Sequence, residues 1–247
     1  MMKHSVIFFV LLFSLMCSGF VQAEERIHAA VAANYIQTFK EISAVFQEKT
    51  GIKIEANYTS SGNLYSQIVN GAPYDMFLSA DTDRPARLYE KDMGGKPFIY
   101  AKGKVALWSA CKNFCSAADW RQAIAEAKIQ RIALSNPEVA PYGAAAMAAL
   151  KEAHLWLPLY GKLVIAQNVA QAFQYATTEA VDVCFCSLSS ALTDVGKKGC
   201  YYVIDEAPPV VQAACVLKEK DTPAVAKFVA FLLSPEADLI KKKYGYK

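Results

Sequence analysis

The chain has 247 residues, with 26 Lys+Arg against 23 Asp+Glu and a formal net charge of +3. That near balance gives no ground for a nucleic-acid-binding surface. There is no low-complexity tract and no fixed-period repeat, and the length suits one large domain or two small ones.

The first predicted element is a targeting segment. Lys3 and His4 precede an apolar run over residues 6–17, and Val21-Gln22-Ala23 offers small residues for cleavage before Glu24. The run falls short of the roughly 20 residues a membrane helix needs. Met16 before Cys17 is a poor match to a lipoprotein anchor. The expectation is removal of residues 1–23 and export of a soluble, periplasmic chain with 25 basic and 23 acidic residues.

Residues 27–32 then read as a short buried strand, and Asn34 as the N-cap of a helix carrying Tyr35, Phe39, Ile42 and Phe46 at helical spacing. Gly51 ends that helix. Ile52, Ile54 and Ala56 alternate as a second strand, the loop 59–62 caps a second helix, and residues 76–78 form a third strand. Short β-α-β-α-β connections predict a parallel sheet covered by helices. Parallel strands bring their following helix starts to one rim, where open α/β sheets bind ligands.

The pattern repeats from residue 102. Strands are expected over 104–109, 130–135, 163–166, 181–187 and 201–204, with helices over 117–127, 142–153 and from Asn168 to Ala176. After Pro208-Pro209 come a strand over 210–217 and helices over 223–233 and 235–243, which return to the first unit. Lys241, Lys242 and Lys243 complement the dipole of that last helix. The expected fold is α/β and two-lobed. Lobe 1 takes residues 24–101 plus 211–247 and lobe 2 residues 102–210, each a mixed, mainly parallel sheet flanked by helices. Two crossing strands near 99–104 and 209–216 join them, with the ligand cleft between.

Four helix starts carry the functional expectation. They are Ala32-Ala33-Asn34-Tyr35, Ser60-Ser61-Gly62, Ala140-Pro141-Tyr142-Gly143 and Asn168-Val169. The first turn of a helix offers unpaired N–H groups and the positive end of its dipole, a ready anion site. Each start alone is an ordinary cap, but the topology places two on each of two facing rims. No Lys, Arg or His lies in these loops. Neutral donors suit a fully ionised anion, which they can desolvate without stranding a protein charge.

Cleavage would leave six cysteines, an even count that suggests disulfides in an exported chain. Cys111 and Cys115 are expected to close a small loop. Cys184, Cys186, Cys200 and Cys215 allow three pairings, with Cys184 and Cys186 on one face of a strand. With no Cys-x-x-Cys pair and only His28 and His154 beyond the leader, no metal site is expected.

Several stretches resemble the periplasmic molybdate-binding proteins of bacterial ABC transporters. They are Ala-Ala-Asn at 32–34, Ser-Ser-Gly at 60–62, Gln-Ile-Val-Asn-Gly-Ala-Pro-Tyr-Asp at 67–75, Phe-Leu-Ser-Ala-Asp at 77–81, Ser-Asn-Pro-Glu at 135–138, Ala-Pro-Tyr-Gly at 140–143 and Lys-Tyr-Gly-Tyr at 243–246. The resemblance implies a type II periplasmic-binding-protein-like fold that closes on molybdate, or tungstate, and delivers it to a membrane permease. It implies a monomer without catalytic residues or cofactor. It assigns the oxyanion contacts to Ala33, Asn34, Ser61, Tyr142 and Val169: backbone N–H groups from Ala33, Ser61 and Val169, hydroxyls from Ser61 and Tyr142, and an amide from Asn34. Ala33 lacks the hydroxyl some members carry nearby. The strand over 181–187 lacks the site tyrosine of many members, which makes Tyr142 the replacement phenol.

Two alternatives stand beside this reading. The same fold could hold sulfate, phosphate or an organic anion, with Asp81 or Glu138 accepting the proton that phosphate retains. Alternatively, Cys184 or Cys186 could be an enzymatic nucleophile, which would need a nearby base or positive environment.

Overall fold

A computed structural model describes residues 25–247. The expected targeting segment, with Cys17, lies outside them. No helix among the described residues is long and apolar enough to cross a membrane.

Strand β1 (Arg26–Ala32) pairs in parallel with β2 (Lys53–Thr59) and β3 (Met76–Leu78). Between β1 and β2 runs α1 (Ile36–Thr50), which buries Phe39, Ile42 and Phe46 along one stripe. Gly51 ends it in the left-handed conformation, φ 73°, with its N–H on the Gln47 carbonyl at 2.8 Å. Helix α2 (Ser61–Val69) follows β2 and α3 (Asp83–Glu90) follows β3. Sequence periodicity misses α3, because only Pro85 and Leu88 of it are buried.

Strands β4 (Phe98–Gly103) and β5 (Val105–Ser109) are separated by Lys104 alone, yet belong to different sheets. The second sheet continues with α4 (Trp120–Ala125), β6 (Ile132–Ser135), α5 (Pro141–Glu152), α6 (Trp156–Leu159), β7 (Leu163–Ala166), α7 (Val169–Thr177), β8 (Val183–Ser187), α8 (Leu188–Ala191) and β9 (Cys200–Val203). The chain returns through β10 (Val210–Val216) to α9 (Pro223–Leu232) and α10 (Pro235–Lys243). The sheet orders are β2-β1-β3-β10-β4 and β7-β6-β8-β5-β9. In each, three parallel strands are followed by two in which the inner one runs antiparallel to both neighbours.

Phe228 of α9 meets Phe39 and Phe46 edge-on, with ring centroids 5.7 and 5.1 Å apart, and so ties the C-terminal helices to the first sheet. Burial of each such ring contributes about 1.5–3 kcal/mol. Residues 117–127 are helical only over α4. Asp119 accepts from the N–H groups of Arg121 and Gln122, both at 2.9 Å, and so fixes the start. The segment before it, Lys112–Ser116, is a 3-10 turn.

The expected Cys111–Cys115 loop does not form. Cys115 bonds to Cys200 on β9, while Cys111, Cys184, Cys186 and Cys215 carry free thiols. The 3-10 turn lies against β9, and that packing selects the partner across the sheet edge over the neighbour in sequence. Cys184 and Cys186 do share one face of β8, both fully buried.

Candidate functional site

The parallel strands of each sheet deliver two helix starts to one rim, and the rims face each other. One small cavity is bordered by Ala33 and Asn34 after β1, Ser60 and Ser61 after β2, Ala140, Pro141 and Tyr142 after β6, and Asn168 and Val169 after β7. Ala32 and Ala80 complete its wall. All five residues expected to contact an oxyanion therefore border the same space. The cavity is small, with about 190 Å³ of empty space that includes its opening to solvent.

Ser60 caps α2 by accepting the Asn63 N–H at 3.4 Å, so Ser61 occupies the first helical position. Asn168 caps α7 by accepting the Gln171 N–H at 3.0 Å, so Val169 does the same there. N–H groups at these positions have no acceptor within the helix. The Ser61 hydroxyl accepts the Ala80 N–H at 2.9 Å, which leaves its own proton to donate. Pro141 at the start of α5 has no N–H to offer, and Tyr142 is the polar side chain that borders the cavity at that corner.

Asn34 departs from its expected role. The cap position is Ala32, with extended backbone, and Asn34 lies inside a 3-10 turn, Ala33–Tyr35, that leads into α1. Its side chain makes no cap. Instead Nδ2 donates to Gln212 Oε1 at 2.8 Å and to the Tyr246 hydroxyl at 3.0 Å. Buried acceptors from β10 and from the chain's end outcompete the local turn. Both protons of that amide are therefore committed.

The same network joins the two sheets. Tyr246 donates to the Asn34 carbonyl at 2.9 Å and lies 3.0 Å from Ser189 Oγ, which itself donates to the Asn34 carbonyl at 2.8 Å. Tyr100 meets Gln212 Oε1 at 3.0 Å, and Gln212 Nε2 approaches the Tyr142 hydroxyl at 3.5 Å. Sequence reasoning singled out neither Gln212 nor Tyr100. Their polar groups are buried on crossing strands, and alternation along those strands does not reveal partners 178 and 112 residues distant.

Across the rim, the Gly62 N–H donates to the Val139 carbonyl at 2.9 Å. A Cβ at Gly62 would lie 2.8 Å from the Val139 Cβ, so this approach of the rims requires glycine. Gly103 has the same role beneath Tyr142, whose hydroxyl would stand 2.0 Å from an added Cβ.

The cavity wall carries no side chain that is ionised at neutral pH. Burial holds Tyr142 well above the ordinary phenol range, with Tyr246 and Tyr100 adding to the effect, so it remains a neutral donor. Asp81 and Glu138 do not border this cavity. Asp81 instead pairs with Arg84 and accepts the Arg84 N–H at 2.9 Å. Arg84 also reaches the Glu138 carbonyl at 3.3 Å. Burial, and then Cys186, push the Cys184 thiol well up, which opposes thiolate formation at Cys184. Among the described residues no group of three or more His, Cys, Asp and Glu is arranged to hold a metal ion.

The family described as bacterial extracellular solute-binding protein matches residues 27–247. The molybdate-binding protein ModA of Rhodobacter capsulatus is 37% identical over 227 residues, covering 91% of this chain and 89% of that relative. ModA of Azotobacter vinelandii is also 37% identical, over 232 residues, 91% of this chain and 90% of its own length. The solved structure of the Azotobacter vinelandii periplasmic molybdate-binding protein superposes with a TM-score of 0.84 at 32% identity, covering 90% of this chain and 98% of that one.

Proposed function

The chain belongs to the bacterial extracellular solute-binding protein family, and from that premise we propose that it captures molybdate, and also tungstate, and delivers it to the membrane permease of an ABC transporter. The ligand sits in the small cavity between the two rims. The N–H groups of Ala33, Ser61 and Val169 and the hydroxyls of Ser61 and Tyr142 donate to its oxygens. Asn34 contributes through its main chain, because its amide protons are held by Gln212 and Tyr246. The protein works as an exported, periplasmic monomer of two lobes, residues 24–101 with 211–247 and residues 102–210, after loss of residues 1–23. It performs no chemistry on the ligand and uses no cofactor.

The observation that carries this reading is the meeting of four helix starts on one cavity whose wall holds no charged side chain. Each hydrogen bond to a charged oxygen contributes about 1.5–3 kcal/mol. A fully ionised tetrahedral dianion accepts from every donor and needs no acceptor in return. Phosphate retains a proton near neutral pH and would leave it facing donors only, since Asp81 is turned to Arg84.

Calorimetric titration with molybdate, tungstate, sulfate and phosphate tests the proposal. Saturable heat with the first two, and much weaker or absent heat with phosphate, is expected. Absence of heat with every tetrahedral dianion would end it.

A further inference from the structure

At the far edge of the second sheet three cysteines crowd one corner. Cys115 and Cys200 are bridged, with Cα atoms 6.1 Å apart, while Cys111 is free and exposed. Cys111 ends the segment that follows β5, and the 3-10 turn Lys112–Ser116 folds back over it, with the Phe114 N–H on the Cys111 carbonyl at 3.0 Å. Cys200 Sγ lies 3.4 Å from the Cys111 carbonyl oxygen. That contact keeps the Cα of Cys111 no more than about 6 Å from Cys200 Sγ. Cα atoms joined by a disulfide stand about 4.4–6.8 Å apart. A bridge between Cys111 and Cys200 calls for rotation of the Cys111 side chain and a shift of the turn that carries it.

Cys111 also borders a surface cavity with Lys128, Glu179 and Asp182. Asp182 is occupied, as its Oδ2 accepts from the N–H groups of Gln130 and Arg131, both at 2.8 Å. Lys128 pairs with Glu126 at 2.6 Å. Lys128 is the one cationic side chain among the residues that line this cavity.

We propose that Cys111 is the nucleophile of an intramolecular thiol–disulfide exchange that moves the bridge from Cys115–Cys200 to Cys111–Cys200. The Cys111 thiolate attacks Cys200 Sγ, and a Cys111–Cys200 bond forms as the Cys115–Cys200 bond breaks. Cys115 leaves with the electron pair and takes up the proton that Cys111 gave to solvent. One disulfide is consumed and one is made, so no oxidant or reductant enters. The exchange releases the 3-10 turn from β9 at Cys115 and fastens it at Cys111. This corner is remote from the anion cavity, and the proposal does not depend on what that cavity binds.

The test is disulfide mapping of the purified protein. Samples are held at about pH 6 and about pH 8.5, quenched in acid, digested with pepsin without reduction, and read by mass spectrometry. The expected result is a Cys111–Cys200 peptide pair that grows at the higher pH as Cys115 becomes open to alkylation. In a Cys115→Ser variant, oxidised glutathione should join Cys111 to Cys200 with an unchanged circular dichroism spectrum. Two results would overturn the proposal. One is a bridge that stays entirely Cys115–Cys200 at both pH values while Cys111 stays fully alkylatable. The other is new bridges to Cys184, Cys186 or Cys215 arising equally fast, which would assign the exchange to unfolded chains. The wild-type mapping decides the matter even if the variant does not fold.

Discussion

Replacing Tyr142 by Phe isolates a single donor. The ring is buried and would keep its packing, since the substitution removes only the hydroxyl oxygen. Within the fold, the hydroxyl lies a long 3.5 Å from Gln212 Nε2 and also meets the Tyr246 side chain, so its loss costs the fold on the order of one neutral hydrogen bond. The stability change should therefore stay within about 1 kcal/mol. The bound anion loses one charge-assisted hydrogen bond, about 1.5–3 kcal/mol, which is roughly a 10- to 150-fold rise in Kd for molybdate. Calorimetric titration of wild type and Y142F, beside thermal melts of both without ligand, separates the two quantities. An unchanged Kd would refute the placement of this phenol against the anion. A large fall in Tm with proportionate loss of binding would show that the hydroxyl serves the fold instead.

Four further outcomes are expected. Gly62→Ala pushes a methyl into Val139 and disturbs the Gly62–Val139 hydrogen bond; the overpacking should cost about 1–3 kcal/mol, read as a lower melting temperature together with weaker molybdate binding by calorimetry. Tyr246→Phe touches no wall of the cavity but strips Asn34 Nδ2 of a buried partner. A penalty of about 1–3 kcal/mol should appear in thermal melts, together with weaker binding by calorimetry. Ser61→Ala removes both the acceptor of the Ala80 N–H and one hydroxyl donor, and should weaken binding at least as much as Y142F when the two are titrated side by side. Finally, burial holds the Tyr35, Tyr100 and Tyr142 phenols well above their ordinary range. The unfolded chain releases these protons near pH 10 and the folded chain does not. Stability is therefore full below about pH 10 and falls above it, by up to about 4 kcal/mol per pH unit for three tyrosines. Urea melts at about pH 8 and pH 10.5 would measure that loss.

The meeting of the five expected residues on one cavity is legible in sequence because its logic is local. Ser60 and Asn168 announce helix starts by chemistry that acts within three residues, and parallel topology then collects those starts on the rims. Asn34 shows where this reasoning stops. Its amide looks like a cap in sequence but is claimed by Gln212 and Tyr246, which local periodicity cannot bring near. The cysteines failed for the same reason. Spacing favoured the Cys111–Cys115 loop, whereas the edge of the second sheet brings Cys200 to Cys115. Helix α3 was invisible because two buried residues leave no period to detect.

The central claim is that uncharged donors from four helix starts hold one oxyanion. It is tested most directly by a crystal of the molybdate-saturated protein, with the metal located from its anomalous scattering. A single peak enclosed by the Ala33, Ser61 and Val169 amides and the Tyr142 hydroxyl is predicted. A peak outside that cavity, or one neutralised by a lysine or arginine, would contradict the account.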